Sequence, residues 1–103
     1  MVMDKIVDSL LNVLGMVYRR NKVRFSRLPE KPNAYQQVII GVVRSYNNNT
    51  PFMVFGEKNP KIRRYYRAMK EVVACLPKDQ SKKCLSLLRY SYHHGGIGKI
   101  GKI

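Results

Sequence analysis

Acidic residues are scarce in this chain. Only six Asp and Glu occur among 103 residues, against twenty Lys and Arg, so the formal net charge at pH 7 is +14. The few carboxylates are scattered, whereas general acid–base catalysis needs acids, bases or nucleophiles placed against one another. The sequence therefore argues against an enzyme, and we expect neither catalytic residues nor a cofactor.

Cysteine is equally sparse, with only Cys75 and Cys84. Two cysteines are too few for the disulfide framework of a small secreted protein. The sequence therefore predicts a reducing, intracellular environment, without distinguishing cytoplasm or nucleus from the mitochondrial matrix. Together with His93 and His94 the thiols lack the closely paired ligands typical of zinc sites. We predict two small buried hydrophobes and no metal site.

Long apolar runs are also missing, and none approaches the roughly 20 residues of a membrane-spanning helix. No transmembrane segment is therefore expected. The N-terminal segment does not resemble a signal peptide, because it carries Asp4, Lys5 and Asp8 where a signal peptide has a positively charged region. At the other end, GGIGKIGKI lacks the strand–loop–helix context of a phosphate-binding loop and any capping signal. We expect a single helical domain over residues 1–94 and a flexible tail over residues 95–103.

Helical periodicity is what the chain does contain. Apolar residues from Met3 to Val17 recur at helical spacing and predict a first helix of about four turns. A second helix is predicted after Asn33, which has capping-box spacing to Gln36, and the segment NNNTP ends it. The β-branched cluster VIIGVV within it leaves a strand as the alternative. The apolar run FMVFG at residues 52–56 is predicted to close one end of the core or to form a short edge strand.

Two further helices are predicted in the second half of the chain. Asn59 is a candidate N-cap, Pro60 suits the first helical position, and Pro77 stops the helix. The last helix is predicted from Gln80 to about residue 93, with Gly95 as its C-cap. The fold class is therefore all-α, a compact bundle of three to four helices.

The basic residues fall into two zones. Residues 19–31 carry a net charge of +5 and residues 57–103 carry +9, whereas residues 1–18 and 32–56 sum to −1 and +1. The first zone interleaves cations with Tyr18 and Phe25, a mixture that suits RNA because guanidinium groups bind phosphates and aromatic rings stack on bases. Burial of both aromatics at a helix end is the alternative. The cations are Arg19, Arg20, Lys22, Arg24 and Arg27.

The second zone is centred on the third helix. Tyr65 and Tyr66 lie on its apolar stripe, so at least one of them should be buried. The cations that project elsewhere are Arg63, Arg64, Arg67 and Lys70. Only Glu71 offers a counter-charge at helical spacing, to Arg67. The sequence therefore predicts a small non-enzymatic RNA-binding protein or ribonucleoprotein subunit that binds the phosphate backbone of RNA (or DNA), with nonspecific contacts from Lys99 and Lys102.

The segment VLGMVYRRNKVRFS, residues 13–26, resembles the signature of the LYR-motif proteins. These are small, basic, three-helix adaptors of the mitochondrial matrix, with a Leu-Tyr-Arg triplet on the first helix and a downstream phenylalanine. In this chain Val17, Tyr18 and Arg19 stand for the triplet, and Phe25 stands for the phenylalanine. Valine replaces the leucine, and the triplet falls late in the helix.

A second feature of that family is an arginine, an aromatic residue and an asparagine near the end of the second helix. Arg44, Tyr46 and Asn47 are similar to it. The resemblance implies binding of an acyl carrier protein, whose acidic surface would suit the arginines and whose acyl chain would enter the helical core. It also implies a role as an assembly factor or accessory subunit of a mitochondrial complex.

Overall fold

Four α-helices make up most of the part of the chain that a computed structural model describes, namely residues 2–19, 21–51 and 62–93. They are α1 (Val2–Tyr18), α2 (Ala34–Asn48), α3 (Ile62–Val73) and α4 (Lys78–His93). Those ranges contain no β-strand. The predicted all-α bundle is therefore confirmed, with four helices.

Both ends of α2 follow from local sequence. The Asn33 side chain accepts a hydrogen bond from the Gln36 backbone N–H at 2.8 Å, and the Gln36 side chain accepts one from the Asn33 N–H at 2.9 Å. This reciprocal pair is the predicted capping box. At the other end Asn49 adopts the left-handed conformation, with φ of 56°, and its N–H bonds to the Ser45 and Tyr46 carbonyls. The cluster VIIGVV is therefore helical.

The connection between α3 and α4 is tight. Pro77 lies between the two helices, as predicted, but α3 already ends at Val73, and α4 begins at Lys78 and not at Gln80. The Ser81 N–H donates to the Pro77 carbonyl at 2.8 Å, which closes the first turn. Asp79 lies in that turn, where a carboxylate interacts favourably with the helix dipole.

Several predictions concern residues outside the described ranges. They are the N-cap and proline of the third helix (Asn59 and Pro60), the apolar run at residues 52–56, the Gly95 cap and the tail at residues 95–103.

One hydrophobic cluster is shared by all four helices. α1 packs against α2 and α4, and α3 packs against the same two helices. The completely buried side chains at the centre include Leu10, Leu14, Ile39, Val42, Met69, Val72 and Leu88. Burying side chains of this size contributes about 1.5–3 kcal/mol each, so this cluster is the main source of stability.

Two aromatic residues of α3 and one thiol of α4 belong to the same cluster, namely Tyr65, Tyr66 and Cys84. The sequence predicted that at least one of Tyr65 and Tyr66 is buried, and in the structure both are. Cys75 and Cys84 are free thiols and are also buried, as predicted for small hydrophobes. No helix in the described part of the chain is long and apolar enough to cross a membrane.

Candidate nucleic-acid interface

The cation-rich segment that follows α1 is a hydrogen-bonded loop, which we call the basic loop (residues 19–27). The chain turns sharply where α1 ends, because Arg19 adopts a left-handed conformation with φ of 42°. The Asn21 N–H then donates to the Tyr18 carbonyl at 2.9 Å. Arg20, another cation predicted for the site, lies outside the described residues.

The middle of the basic loop is held by a single side-chain amide. The Val23 N–H donates to Asn47 Oδ1 at 2.6 Å, and Asn47 Nδ2 donates to the Val23 carbonyl at 2.7 Å. Asn47 thus satisfies both backbone groups of a residue whose side chain is only 2% exposed. Lys22 and Arg24, on either side of it, are exposed.

The far end of the basic loop is held by α3. The Cys75 carbonyl, just beyond the last turn of that helix, accepts hydrogen bonds from the Ser26 N–H at 2.7 Å and the Arg27 N–H at 3.4 Å. Helix ends leave carbonyl groups without a helical partner, and the loop provides one here. The backbone of the basic loop is therefore fixed at two places, while its described cations are exposed: Arg19, Lys22, Arg24 and Arg27.

The aromatic residues of this segment are not free stacking surfaces. Tyr18 is only 7% exposed, and Phe25 packs partly buried against the core. Burial at the helix end, the alternative raised by the sequence, is the correct interpretation for Tyr18. Its hydroxyl group is buried without a hydrogen-bond partner. Burial raises the pKa of this hydroxyl to about 12, with smaller contributions from negative charge at Cys84 and Asp79.

A second set of exposed cations lies on α3, and we call it the α3 basic face: Arg63, Arg64, Arg67 and Lys70. Two of its members contact aromatic rings. Arg64 Nη1 donates to the Tyr35 hydroxyl at 3.5 Å, and its guanidinium carbon is 5.9 Å from the Tyr35 ring centroid. Lys70 Nζ lies 4.9 Å from the centroid of Tyr66. Cation–π contacts of this kind restrain long side chains that would otherwise sample many rotamers.

The basic loop approaches the C-terminal end of α3. Cys75 lies two residues beyond Val73, the last residue of α3. Since the Cys75 carbonyl holds Ser26 and Arg27, the basic loop crosses the end of the helix that carries the α3 basic face. The sequence predicted both sets of cations but could not relate their positions.

Two cations that sequence reasoning missed lie beside the basic loop. Lys82 and Lys83 of α4 line a groove of about 750 Å³ with Arg19, and we call it the α1–α4 groove. Its apolar lining comes from Met16, which is 60% exposed, together with Val17 and Leu87. The adjacent lysines were visible in the sequence, but nothing local indicated that α4 packs beside the end of α1.

The residues that resemble the LYR signature have different environments. Val17 is partly buried, Tyr18 is buried and Arg19 is exposed. Arg44 is exposed on α2, whereas the Asn47 amide bonds to Val23 through both its oxygen and its nitrogen. Asn47 therefore has a structural role that the resemblance did not specify.

Comparison with known proteins adds no assignment, because no protein-family model, curated protein or solved structure matches this chain. Within the described ranges, no three or more His, Cys, Asp or Glu residues come together in a way that could hold a metal ion. Function must therefore be inferred from the basic loop, the α3 basic face and the α1–α4 groove.

Proposed function

We propose that this protein is a small, non-enzymatic RNA-binding protein or ribonucleoprotein subunit that holds the phosphate backbone through the basic loop and the α3 basic face. The observation that carries the proposal is the fixed backbone of the basic loop. Hydrogen bonds at Val23, Ser26 and Arg27 hold the loop in place. A loop that is already ordered loses less conformational entropy on binding than a flexible one.

The distribution of acids supports the same proposal. No Asp or Glu occurs between Asp8 and Glu30, so no carboxylate of the segment itself neutralises the basic loop. Clustered uncompensated cations raise the local positive potential and attract a polyanion. Binding releases the counterions condensed on the nucleic acid, which makes the affinity depend steeply on salt concentration.

Phosphate contact suits these side chains better than sequence-specific reading does. Guanidinium groups bind phosphate oxygens through two parallel hydrogen bonds, and the lysine ammonium acts as a compact point charge. Such contacts position a strand without selecting its sequence. DNA carries the same phosphates, so matched DNA belongs in every binding experiment. The two free, buried thiols are compatible with the reducing compartment that we propose.

Removing two cations from the basic loop is the direct test. The double variant Lys22→Ala/Arg24→Ala is expected to weaken binding of a short single-stranded RNA about tenfold at moderate salt. It should also reduce the slope of log affinity against log salt by about 1.4, since each phosphate contact on a single strand contributes about 0.7. Fluorescence anisotropy between about 50 and 200 mM salt measures both quantities.

The matched control removes the same charge elsewhere. Lys31 and Arg89 are exposed and lie outside both cationic surfaces, so Lys31→Ala/Arg89→Ala should change the affinity and the slope much less. Equal losses of RNA affinity in the two double variants would show that binding depends on the net charge of the protein and not on the basic loop. Absence of any salt-sensitive RNA binding by the unmodified protein would refute the proposed function.

The α1–α4 groove supports a second candidate, an LYR-like adaptor that binds an acidic protein such as an acyl carrier protein. Its apolar lining is bordered by Arg19, Lys82 and Lys83, which complement an acidic helix with an apolar face. Val17 and Arg19 of the LYR-like triplet are among the lining residues.

A neutral substitution separates this candidate from RNA binding. Met16→Gln removes exposed apolar surface from the groove without changing charge and keeps a good helix former. If the adaptor role is real, the variant should bind acylated acyl carrier protein about tenfold more weakly in calorimetry, and the complex of the unmodified protein should survive high salt. Unchanged binding of that partner by Met16→Gln would exclude the groove.

A further inference from the structure

A larger recess lies on the other side of Arg19, and we call it the α1–α2 recess. It is an open recess with a volume of about 990 Å³, lined by the second half of α1, the start of the basic loop and the end of α2. The polar and aromatic side chains that matter for its chemistry are Arg19, Lys22, Asn12, Asn21, Asn49 and Tyr46. No carboxylate is among the lining residues that the structure describes.

The lining fits a ligand that is both anionic and rich in hydrogen-bonding groups. Arg19 and Lys22 supply positive charge at the edge shared with the basic loop. The side-chain amides of Asn12, Asn21 and Asn49 each offer a donor and an acceptor, the combination that pairs with the edges of nucleobases. Tyr46 is partly exposed and adds an aromatic surface, on which bases commonly pack.

We propose that the α1–α2 recess receives an unpaired base of the nucleic-acid strand whose phosphates lie on the basic loop. The inference rests on the proposed function and deepens it, because it specifies a single-stranded ligand. Arg19 and Lys22 belong to both surfaces, so a strand bound along the basic loop passes the opening of the recess. The volume lies within the range of about 300–1,000 Å³ typical of small-ligand sites.

Gly15 provides a separate observation about the recess, because it leaves the α1 wall without a side chain at this position. It lies inside α1, is exposed, and lines the recess. A Cβ atom added there would meet no other atom within 4 Å, so packing does not require glycine. Glycine inside a helix is destabilising relative to alanine. The absence of a side chain at Gly15 leaves this wall of the recess open to a ligand.

Two substitutions at this position separate obstruction from folding. Gly15→Ala adds only a methyl group, whereas Gly15→Gln extends a side chain into the recess, and both residues favour helix more than glycine does. Both variants should melt at a temperature at least as high as the unmodified protein, as followed by circular dichroism. Loss of binding in the glutamine variant alone would then be due to the filled recess.

The probes are a short labelled single-stranded RNA, the matching DNA, and an abasic oligomer of the same length. The unmodified protein should bind the RNA about tenfold more tightly than the abasic oligomer, since one well-packed base is worth that much. Gly15→Gln should reduce RNA binding to the abasic level, while Gly15→Ala should retain the difference. A preference for RNA over DNA would indicate that the ribose hydroxyl is also recognised.

The outcomes distinguish the two proposals. Equal binding of RNA and the abasic oligomer by the unmodified protein would overturn the base site but leave phosphate binding intact. So would undiminished RNA binding by Gly15→Gln, or equal affinity for fully paired and single-stranded RNA. If neither the RNA nor the abasic oligomer binds, both the base site and the proposed function fail.

Discussion

Replacing Asn47 with alanine is expected to lower the free energy of unfolding by about 2–4 kcal/mol, because it leaves the N–H and the carbonyl of Val23 without partners. Both groups are part-buried and now bond to the same amide, at 2.6 and 2.7 Å. Val23 itself is 2% exposed, so water can replace these bonds only if the basic loop moves. RNA affinity should therefore fall as well, because the basic loop loses one of its two anchors and because Asn47 also lines the α1–α2 recess.

Asn48 provides the matched control. It is the next residue in the last turn of α2 and is exposed, so Asn48→Ala should change stability by no more than about 0.5 kcal/mol. Urea unfolding measures both variants, and hydrogen exchange at the Val23 amide should accelerate only in Asn47→Ala. If the two variants lose the same stability, the Asn47 amide does not hold the basic loop.

Alkaline pH is expected to destabilise the fold through two buried acids, Tyr18 and Cys84. Burial raises the pKa of the Cys84 thiol from near 9 to about 11 and that of the Tyr18 hydroxyl from near 10 to about 12. At a pH below its unfolded-state pKa, each group is neutral in both the folded and the unfolded chain, so its ionisation does not affect stability. Above that pKa the group ionises in the unfolded chain before it does so in the folded protein. Stability therefore falls from about pH 9 to 11 for Cys84 and from about pH 10 to 12 for Tyr18.

The loss should reach roughly 2–3 kcal/mol for each group once the pH exceeds both of its pKa values. Lysines also lose their charge in this range, which relieves self-repulsion and acts in the opposite direction. Guanidinium unfolding at a series of pH values therefore needs a variant that isolates one group. Tyr18→Phe keeps the ring and removes the hydroxyl.

This variant should flatten the pH dependence between about pH 10 and 12 while leaving the Cys84 contribution in place. At neutral pH it should be no less stable than the unmodified protein, because the hydroxyl it removes is buried without a partner. A Tyr18→Phe profile that is parallel to that of the unmodified protein up to pH 12 would show that Tyr18 ionises equally readily in both states.

The helices could be predicted because their signals are local. The capping box joins Asn33 to Gln36, and Pro77 separates two helices whatever surrounds it. The start of α4 was placed too late because Lys78 and Asp79 gave no apolar periodicity. The Ser81 N–H bond to the Pro77 carbonyl decides that boundary, and a hydrophobic pattern does not contain it.

The candidate site could be predicted only in part, because its geometry depends on contacts between distant segments. The exposed cations were visible in the sequence as a run of one sign. Their fixed presentation depends on Asn47 and Cys75, which bond to the basic loop from other helices. Lys82 and Lys83 line the same groove as Arg19, and this arrangement likewise depends on how α1 and α4 pack. Neither arrangement has a signature in local composition.

The hydrogen bond from the Ser26 N–H to the Cys75 carbonyl limits how early the basic loop can become ordered during translation. The acceptor is made roughly 50 residues after the donor, which at 5–20 residues per second is about 2–10 seconds. Until then the cations of the nascent basic loop repel one another on an open chain. The Cys75 carbonyl, just beyond α3, fixes that segment, so a growing polypeptide orders its basic loop late, when most of the described helical bundle has been synthesised.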